Sequence, residues 1–241
     1  MTGTSDFVES AAASLALVRQ SRPRAHWVQK FVADGLAALG AIPSMTSSPE
    51  EVEAFTRRAD ALVVNLGTLD EERRTAIRLA TVVARHANKP WIVDPVHCDY
   101  SPSRLAFARE LIASEPFVVR GNASEMDLFG EVNGALKIKT GAVDELKRDL
   151  HTIRVENGHP LMAQVTGTGC LSGALIAAFM AVEPDRLKAA AGALLTSGIA
   201  AEIAAQNSNG PGTFEVAFRD ALAALRPEDI IANARISHAE G

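Results

Sequence analysis

Three short apolar runs, separated by segments that begin with helix-capping residues, constrain the fold of this chain most strongly. The runs are rich in valine and isoleucine and lack clean alternation, as strands covered on both faces do; they are Ala61–Leu66, Trp91–Asp94 and Phe117–Arg120. Capping residues predict helix starts at Ser48-Pro49, at Thr68 and at Ser101-Pro102. The order strand, helix, strand, helix, strand predicts an α/β fold with a mostly parallel central sheet and helices on both faces.

The remainder of the chain extends this pattern without dividing it. Leu136–Thr140 and Thr152–Val155 are predicted as further strands, and Thr168–Arg226 is predicted to be almost all helix. No internal repeat or compositional break interrupts the 241 residues. We therefore expect a single domain over residues 1–241, with an N-terminal helix over 1–20 and a tail over 227–241, since one domain of this size can bury a substantial core.

Charge and cysteine content narrow the classes of partner and compartment. The 24 Lys and Arg against 29 Asp and Glu give a net charge of −5, which provides no basic surface for nucleic acid. The two cysteines, Cys98 and Cys170, argue against a disulfide framework and favour a reducing compartment. The most apolar stretch, Ala189–Ala205, contains glycines, Ser197 and Glu202, which favours a buried helix over a membrane span. We expect a cytoplasmic protein that binds neither nucleic acid nor membrane.

The run Val165–Ala174 is the most informative for chemistry. Its glycines, Gly167 and Gly169, precede a helix of small and apolar residues. Such a loop can direct backbone N–H groups and the positive end of the helix dipole at an anion such as a transferring phosphoryl group. Close to these N–H groups and the positive end of the helix dipole, the Cys170 thiol could deprotonate more easily than an ordinary thiol. The alternative is a tight turn before a buried helix, with Cys170 as a small hydrophobic residue.

Polar residues stand at the ends of four proposed strands, namely Asn65, Asp94, Arg120 and Thr140. Ligands of parallel sheets bind at the carboxyl ends of strands, so four such positions favour a site there. Asp94 is either a ligand for magnesium beside a nucleotide phosphate or a turn aspartate. The guanidinium of Arg120 suits phosphate oxygens. Thr140 is as well explained by a strand-to-turn position as by a phosphate contact.

Two further clusters are less decisive. Glu125 lies three residues after Asn122, so a capping box explains it as well as a metal does. His97-Cys98-Asp99 carries three residue types that bind zinc. Adjacent residues of one loop seldom converge on one ion, however, and no second ligand cluster is evident, so zinc is not favoured here.

Taken in order, these motifs resemble hydroxyethylthiazole kinase, a thiamine-salvage family with a ribokinase-like fold. The resemblance runs from about Phe31 to Leu225. It is carried by an ordered set of motifs, namely Asp34–Ala41, Asn65–Leu69, Asp94–Val96, Arg120–Glu125, Gly158–Met162, Val165–Cys170 and Gly210–Phe214. A single Gly-Thr-Gly would be weak, whereas the ordered set is specific.

The resemblance implies ATP-dependent phosphorylation of the alcohol on a hydroxyethyl-substituted thiazole. Carried over to this chain, it implies that Arg120 and Thr140 contact ATP, that Asp94 and Glu125 serve Mg²⁺, and that Met45 and Gly167 touch the thiazole alcohol. The resemblance also implies that Thr168, Gly169 and Cys170 form the catalytic segment, with Cys170 where related sugar kinases place an aspartate base. The family is typically a homotrimer with substrate pockets at subunit boundaries. A loose phosphoryl-transfer transition state suits such a site, because positioning and charge neutralisation matter more than a strong base.

Three segments depart from the family pattern. Ser21–Ala25 replaces a His-x-Ile-Thr-Asn segment, His97–Tyr100 replaces small glycine-rich residues, and the segment between Glu125 and Thr140 is shortened, with room for one short crossover helix. The first two favour, as an alternative, a kinase for another small heteroaromatic alcohol. The third favours a non-catalytic relative that binds a thiamine precursor or a nucleotide.

Overall fold

The computed structural model describes residues 3–26, 30–132 and 134–238. Within these ranges one sheet of nine strands has the order β2-β1-β3-β4-β5-β6-β7-β8-β9. The strands are β1 (Arg24–His26), β2 (Ile42–Ser44), β3 (Ala61–Asn65), β4 (Trp91–Asp94), β5 (Val118–Asn122), β6 (Leu136–Thr140), β7 (Asp144–Arg148), β8 (His151–Val155) and β9 (Ile236–His238). Pairings from β2 through β6 are parallel, and those from β6 to β9 are antiparallel. The predicted α/β architecture with a mostly parallel sheet is confirmed.

Ten α-helices and one 3₁₀ helix, over Pro160–Gln164, accompany the sheet in the described residues. The α-helices are α1 (Thr4–Ser21), α2 (Lys30–Leu39), α3 (Val52–Arg58), α4 (Glu71–His86), α5 (Pro102–Ile112), α6 (Ala123–Met126), α7 (Thr168–Met180), α8 (Arg186–Gln206), α9 (Pro211–Ala224) and α10 (Pro227–Asn233). Helices α1, α2, α7, α8 and α9 build the larger core on one face of the sheet. Helices α4 and α5 build the smaller core on the other face.

Burial of the central strands on both faces explains their apolar sequences. In β3, Val63 belongs to the larger core, whereas Leu62 and Val64 belong to the smaller one. In β4, Ile92 and Val93 divide between the two cores in the same way. The strands predicted from these runs are therefore confirmed, and β5 extends two residues beyond the predicted end at Arg120.

Two of the three predicted helix starts need correction. Ser101 caps α5 as predicted, with its Oγ accepting the Arg104 N–H at 3.3 Å. Helix α3 instead begins at Val52, and residues 49–51 form a turn. Helix α4 begins at Glu71, and Asp70, not Thr68, caps it by accepting the Arg73 N–H at 2.8 Å. Carboxylate and hydroxyl side chains compete for such positions, and the sequence alone did not separate them.

The predicted tail over 227–241 is wrong for its described part. That segment forms α10 and then β9, which pairs with β8 and completes the sheet edge. The N-terminal helix expected over 1–20 corresponds to α1, which spans Thr4–Ser21. Helix α8 is the one described helix that is long and apolar enough to cross a membrane, and most of it is buried against α1, α7 and α9.

Candidate functional site

The carboxyl edge of the parallel strands gathers the polar residues predicted to form a site. Asn65 and Asp94 are partners in the register of β3 and β4, and both end their strands. Thr140 ends β6, next to β5, which carries Arg120. Helix α7 begins at the same edge, because the Gly169 carbonyl accepts a hydrogen bond from Arg120. The structure therefore brings the four predicted residues together, but Arg120 lies within β5 and not at its end, because β5 continues to Asn122.

Arg120 is the centre of this cluster. Its Nη1 donates to Asp94 Oδ2 at 2.7 Å and to the Gly169 carbonyl at 2.9 Å, and its Nη2 donates to Thr140 Oγ1 at 3.3 Å. The side chains of Arg120 and Asp94 are only 5% and 3% exposed. Among the described residues the Arg120 Nε–H, which is buried, has no acceptor. A buried guanidinium with a free donor is suited to an anionic ligand such as a phosphate group.

Burial and charge act on Asp94 in opposite directions. Burial raises the pKa of the Asp94 carboxyl, whereas the Arg120 guanidinium lowers it and the nearby Glu125 carboxylate raises it further. The charge of Asp94 in turn raises the pKa of Arg120, although burial opposes this. Asp94 is thus an ion-pair partner in this structure, and one of its oxygens, Oδ2, is shared by Arg120 and Asn65.

Asn65 connects the carboxylate to the thiol of Cys170. Its Nδ2 donates to Asp94 Oδ2 at 3.0 Å and to Cys170 Sγ at 3.2 Å. Burial and then the Asp94 charge raise the pKa of the Cys170 thiol, despite the helix start and the Asn65 contact. The expectation of a more easily deprotonated thiol is therefore wrong. The helix dipole is outweighed by desolvation and by a neighbouring carboxylate.

The turn before α7 requires glycine at one of its two glycine positions. Gly167 is the N-cap, with φ of +100°, and a Cβ there would lie 2.8 Å from the Phe31 ring. A Cβ on Gly169 would meet no atom within 4 Å. The first N–H groups of α7, among them that of Gly169, have no partner within the helix and lie at its positive end. Thr168 donates its hydroxyl to the carbonyls of Met162 and Val165, which anchors the turn.

A cavity of about 630 Å³ lies beside Arg120 and is lined by Thr140, Thr168, Gly169 and other residues of this edge. Its wall also contains Asp144, a residue the sequence reasoning missed. Asp144 Oδ1 accepts the Gly141 N–H at 3.0 Å, and burial raises the pKa of its carboxyl to about 6. In the sequence, Asp144 follows Thr140-Gly141 after two residues. An aspartate there is typical of a turn, so the sequence provides no separate indication of a site.

Glu125 performs the structural role that a capping box predicts. Its Oε2 accepts the Asn122 N–H at 2.9 Å, and the Asn122 side chain accepts the Glu125 N–H at 3.0 Å. Its Oε1 accepts the His97 N–H at 2.7 Å. These bonds leave lone pairs on both carboxylate oxygens, so the cap does not exclude a metal. Asp94 and Glu125, two hard oxygen donors at one edge, are a donor set that suits Mg²⁺.

The residues of His97-Cys98-Asp99 separate into two environments. His97 and Asp99 converge with Glu125, so that one ligand atom from each lies within 4.8 Å of the others. Cys98 is buried instead in the smaller core. Burial and then the carboxylates of Glu125 and Asp99 raise the pKa of its thiol to about 11. The expectation that this loop finds no further ligand is wrong, because α6 supplies Glu125 from another part of the chain.

The two residues assigned to the alcohol lie at different places: Gly167 caps α7, whereas Met45 lies at the β2 edge of the sheet. Met45 follows edge strand β2 and is 54% exposed. It does not line the cavity beside Arg120. Of the departing segments, Tyr100 is 79% exposed, and Arg24 begins β1. His26, which the sequence reasoning also missed, ends β1 fully buried, and burial lowers the pKa of its imidazole to about 4.

Comparison with known proteins places this geometry in a family. The model of the hydroxyethylthiazole kinase family matches residues 15–137 and 131–228. A probable hydroxyethylthiazole kinase of Agrobacterium fabrum is 58% identical over 246 residues, covering 100% of both chains. The structure of a hydroxyethylthiazole kinase protein from Pyrococcus horikoshii superposes with a TM-score of 0.91 at 36% identity, over 95% of this chain and 99% of that one.

A more distant structure bears on the fold alone. A ribokinase-like superfamily protein from Enterococcus faecalis, 14% identical, superposes with a TM-score of 0.51 over 90% of this chain and 81% of that one. The expected ribokinase-like fold is therefore confirmed. With the family model covering most of the chain and a full-length relative at 58% identity, this chain belongs to the hydroxyethylthiazole kinase family.

Proposed function

We propose that this chain transfers the γ-phosphoryl group of ATP to the hydroxyl of a hydroxyethyl-substituted thiazole. The observation that carries the proposal is the buried Arg120, which has an unpaired Nε–H beside a cavity of about 630 Å³ and bonds to Asp94, Thr140 and the start of α7. Family membership supplies the reaction class. The unpaired Nε–H of Arg120 beside this cavity supports our assignment of the phosphates to it.

In this proposal the order of strands separates the two substrates. ATP occupies the cavity at β5 and β6, where Arg120 and Thr140 contact its phosphates. The alcohol enters from the side of β2, where Met45 contacts the flat, polarisable ring through its sulfur and Gly167 faces the alcohol. Cys170 lies between the two, held by Asn65 at the end of β3. The acceptor hydroxyl and the γ-phosphate therefore meet at the start of α7.

The chain contributes mainly position and charge. Arg120 neutralises phosphate charge, and the N–H groups of Gly169 and Cys170 at the start of α7 stabilise charge that develops on the transferring oxygens. The Thr168 N–H donates instead to the Val165 carbonyl. Cys170, in its thiolate form, takes the proton of the attacking hydroxyl. Its raised pKa keeps that form scarce at neutral pH, so we expect a slow enzyme whose rate rises with pH. Mg²⁺, held by Asp94 and Glu125, would neutralise the phosphate oxygens further.

The proposal extends to assembly and compartment. We propose a homotrimer in which a neighbouring subunit covers the apolar side chains Met45 and Phe55, which are 54% and 39% exposed near the β2 edge. Light scattering on the purified protein tests this, and a monomer would contradict it. We also place the reaction in the cytoplasm, consistent with Cys98 and Cys170, which are both unpaired.

The direct test is coupled ADP release with purified protein, Mg-ATP and the thiazole alcohol. Pyrimidine and pyridine alcohols of similar size serve as alternative acceptors. We expect turnover with the thiazole alcohol that is preferred over the others and is lost in Arg120→Ala. A preference for another ring would replace the acceptor in the proposal, and tight ligand binding without turnover would replace the kinase by a binding protein.

A further inference from the structure

Two loops at the carboxyl edge of the sheet bring an imidazole and two carboxylates together. After β4 ends at Asp94, residues 96–100 form a turn that contains His97, with φ of +56°, and Asp99. After β5, helix α6 presents Glu125. One ligand atom from each of His97, Asp99 and Glu125 lies within 4.8 Å of the others. Glu125 follows His97 by 28 residues and Asp99 by 26 residues in the sequence. The fold, and not adjacency along the chain, therefore brings Glu125 to the other two.

Hydrogen bonds hold the two loops in this arrangement. The His97 N–H donates to Glu125 Oε1 at 2.7 Å, and Ser124 donates its hydroxyl to Asp99 Oδ2 at 2.9 Å. The His97 backbone in the left-handed region directs this turn toward α6. His97 is exposed and Glu125 is buried, so the cluster has a ligand open to solvent and a ligand fixed in the protein. Such a cluster is pre-organised on two elements rather than on one mobile loop.

No basic side chain forms an ion pair with the carboxylates of this cluster in the part of the chain that the structure describes. Asp99 Oδ1 is buried and has no hydrogen-bond partner among the described residues. Over the same part of the chain, neither Asp99 nor Glu125 forms a salt bridge with a lysine or arginine. The guanidinium of Arg104 donates to the carbonyls of Val96 and Gly67 instead. An unpaired buried carboxylate oxygen beside a second carboxylate is costly unless a cation neutralises it.

We propose that His97, Asp99 and Glu125 bind a divalent transition-metal ion, with water completing its coordination. One imidazole nitrogen with two carboxylate oxygens suits Zn²⁺, Co²⁺ or Mn²⁺, whereas Mg²⁺ and Ca²⁺ prefer oxygen ligands alone. The ion ties the turn after β4 to α6, beside the nucleotide cavity that Asn122 also lines. Glu125 is shared with the proposed Mg²⁺ site, as a carboxylate with two oxygens can serve two ions. The site goes beyond the proposed kinase reaction, in which neither His97 nor Asp99 has an assigned role.

Metal binding to the resting protein tests this site independently of phosphoryl transfer. Chelator-treated protein, without ATP or thiazole alcohol, is titrated with Zn²⁺ by calorimetry and with Co²⁺ by visible absorption. We expect one ion per chain, and Mg²⁺ at the same concentrations should not displace it. His97→Asn, which tolerates the left-handed backbone, and Asp99→Asn should each weaken binding by at least about tenfold, since even outer-shell changes cost that much.

Three controls make the outcome decisive. His151→Asn, at an exposed histidine of β8, and Cys98→Ala should bind the ion as the unaltered chain does. Imidazole NMR signals of His97 should shift on addition of Zn²⁺, which requires no variant and so is unaffected by a folding defect. Absence of stoichiometric binding, equal affinity in His97→Asn, or loss of binding in Cys98→Ala would overturn the site. Because no nucleotide is present, these outcomes leave the proposed kinase activity untouched.

Discussion

Arg120 donates to Asp94 across 2.7 Å between Nη1 and Oδ2, and both side chains are almost completely buried. This ion pair joins the end of β4 to the middle residue of β5, beside the start of α7. The guanidinium that is proposed to hold phosphate is therefore already oriented by a carboxylate proposed to serve Mg²⁺. We therefore expect stability and nucleotide binding to depend on the same two residues.

Arg120→Ala should lower both stability and activity. Loss of one partner leaves the Asp94 carboxylate buried without its counter-charge, which costs about 3–5 kcal/mol in free energy of unfolding. Urea unfolding measures this. The double variant Arg120→Ala/Asp94→Asn should be less destabilised than the sum of the single variants, because no charge remains buried. Additive effects would show that the pair is not coupled.

Gly167→Ala should destabilise the fold, and Gly169→Ala is its matched control. Alanine at φ of +100° is strained by at least about 1–2 kcal/mol, and its Cβ would also lie 2.8 Å from the Phe31 ring. A methyl group on Gly169 meets no atom within 4 Å, so that variant should keep or slightly raise the free energy of unfolding. Equal losses in the two variants would contradict this account of the turn.

The pH dependence of stability should contain a contribution from Asp144. Burial raises the pKa of its carboxyl to about 6, whereas an unfolded chain has an aspartate pKa of about 3.9. Between these values the folded chain binds more protons, so this contribution to the free energy of unfolding falls as pH rises. This contribution to the free energy of unfolding begins to fall above about pH 4, and the fall is complete above about pH 6. The fall amounts to at most about 3 kcal/mol.

The measurement is the difference in free energy of unfolding between the unaltered chain and Asp144→Asn from pH 4 to 7. A difference is needed because His26 acts in the opposite direction: burial lowers the pKa of its imidazole to about 4, so its contribution to stability rises with pH. Asn retains the oxygen that accepts the Gly141 N–H. A difference that stays constant over this pH range would contradict the raised pKa of Asp144.

The Cys170 thiol should react slowly with iodoacetamide at pH 7, because burial and Asp94 raise its pKa. Asp94→Asn removes one of these causes and should accelerate alkylation of Cys170. The alkylation rate is measured by mass spectrometry in a Cys98→Ala background, so that Cys170 is the one cysteine of the chain. The same raised pKa predicts that kcat increases with pH above neutrality, and that Cys170→Ser loses this increase. Alkylation as fast as that of a free thiol at pH 7 would contradict the raised pKa.

The sequence predicted the four central parallel strands, β3 to β6, well, for a physical reason, but it did not predict the parallel edge strands β1 and β2, which have only three residues each. Strands such as β3 and β4 are buried on both faces and are therefore almost wholly apolar. Strand β7 was missed because only Leu146 of its five residues is buried. Strand β9 was missed because its pairing with β8 depends on a contact far away in sequence. Local pattern does not encode such a pairing.

The candidate site was likewise predicted in part from the sequence. The rule that ligands bind at strand ends predicted Asn65, Asp94, Arg120 and Thr140 as neighbours, since parallel strands end at one edge. The structure brings the four together, although Arg120 lies in the middle of β5 and not at its end. The acidity of Cys170 was misjudged, because the helix start is visible in sequence whereas burial and proximity to Asp94 are not. The convergence of His97 and Asp99 with Glu125 was missed for the same reason.

The central claim is that this chain moves the γ-phosphoryl group of ATP onto the hydroxyl of hydroxyethylthiazole. It is tested most directly with ATP whose γ-phosphate carries ¹⁸O and with mass spectrometry of the thiazole product. The account predicts a thiazole phosphate ester that contains the labelled phosphoryl group, formed by the unaltered chain and not by Arg120→Ala. Labelled inorganic phosphate without the ester, or no consumption of ATP, would contradict it.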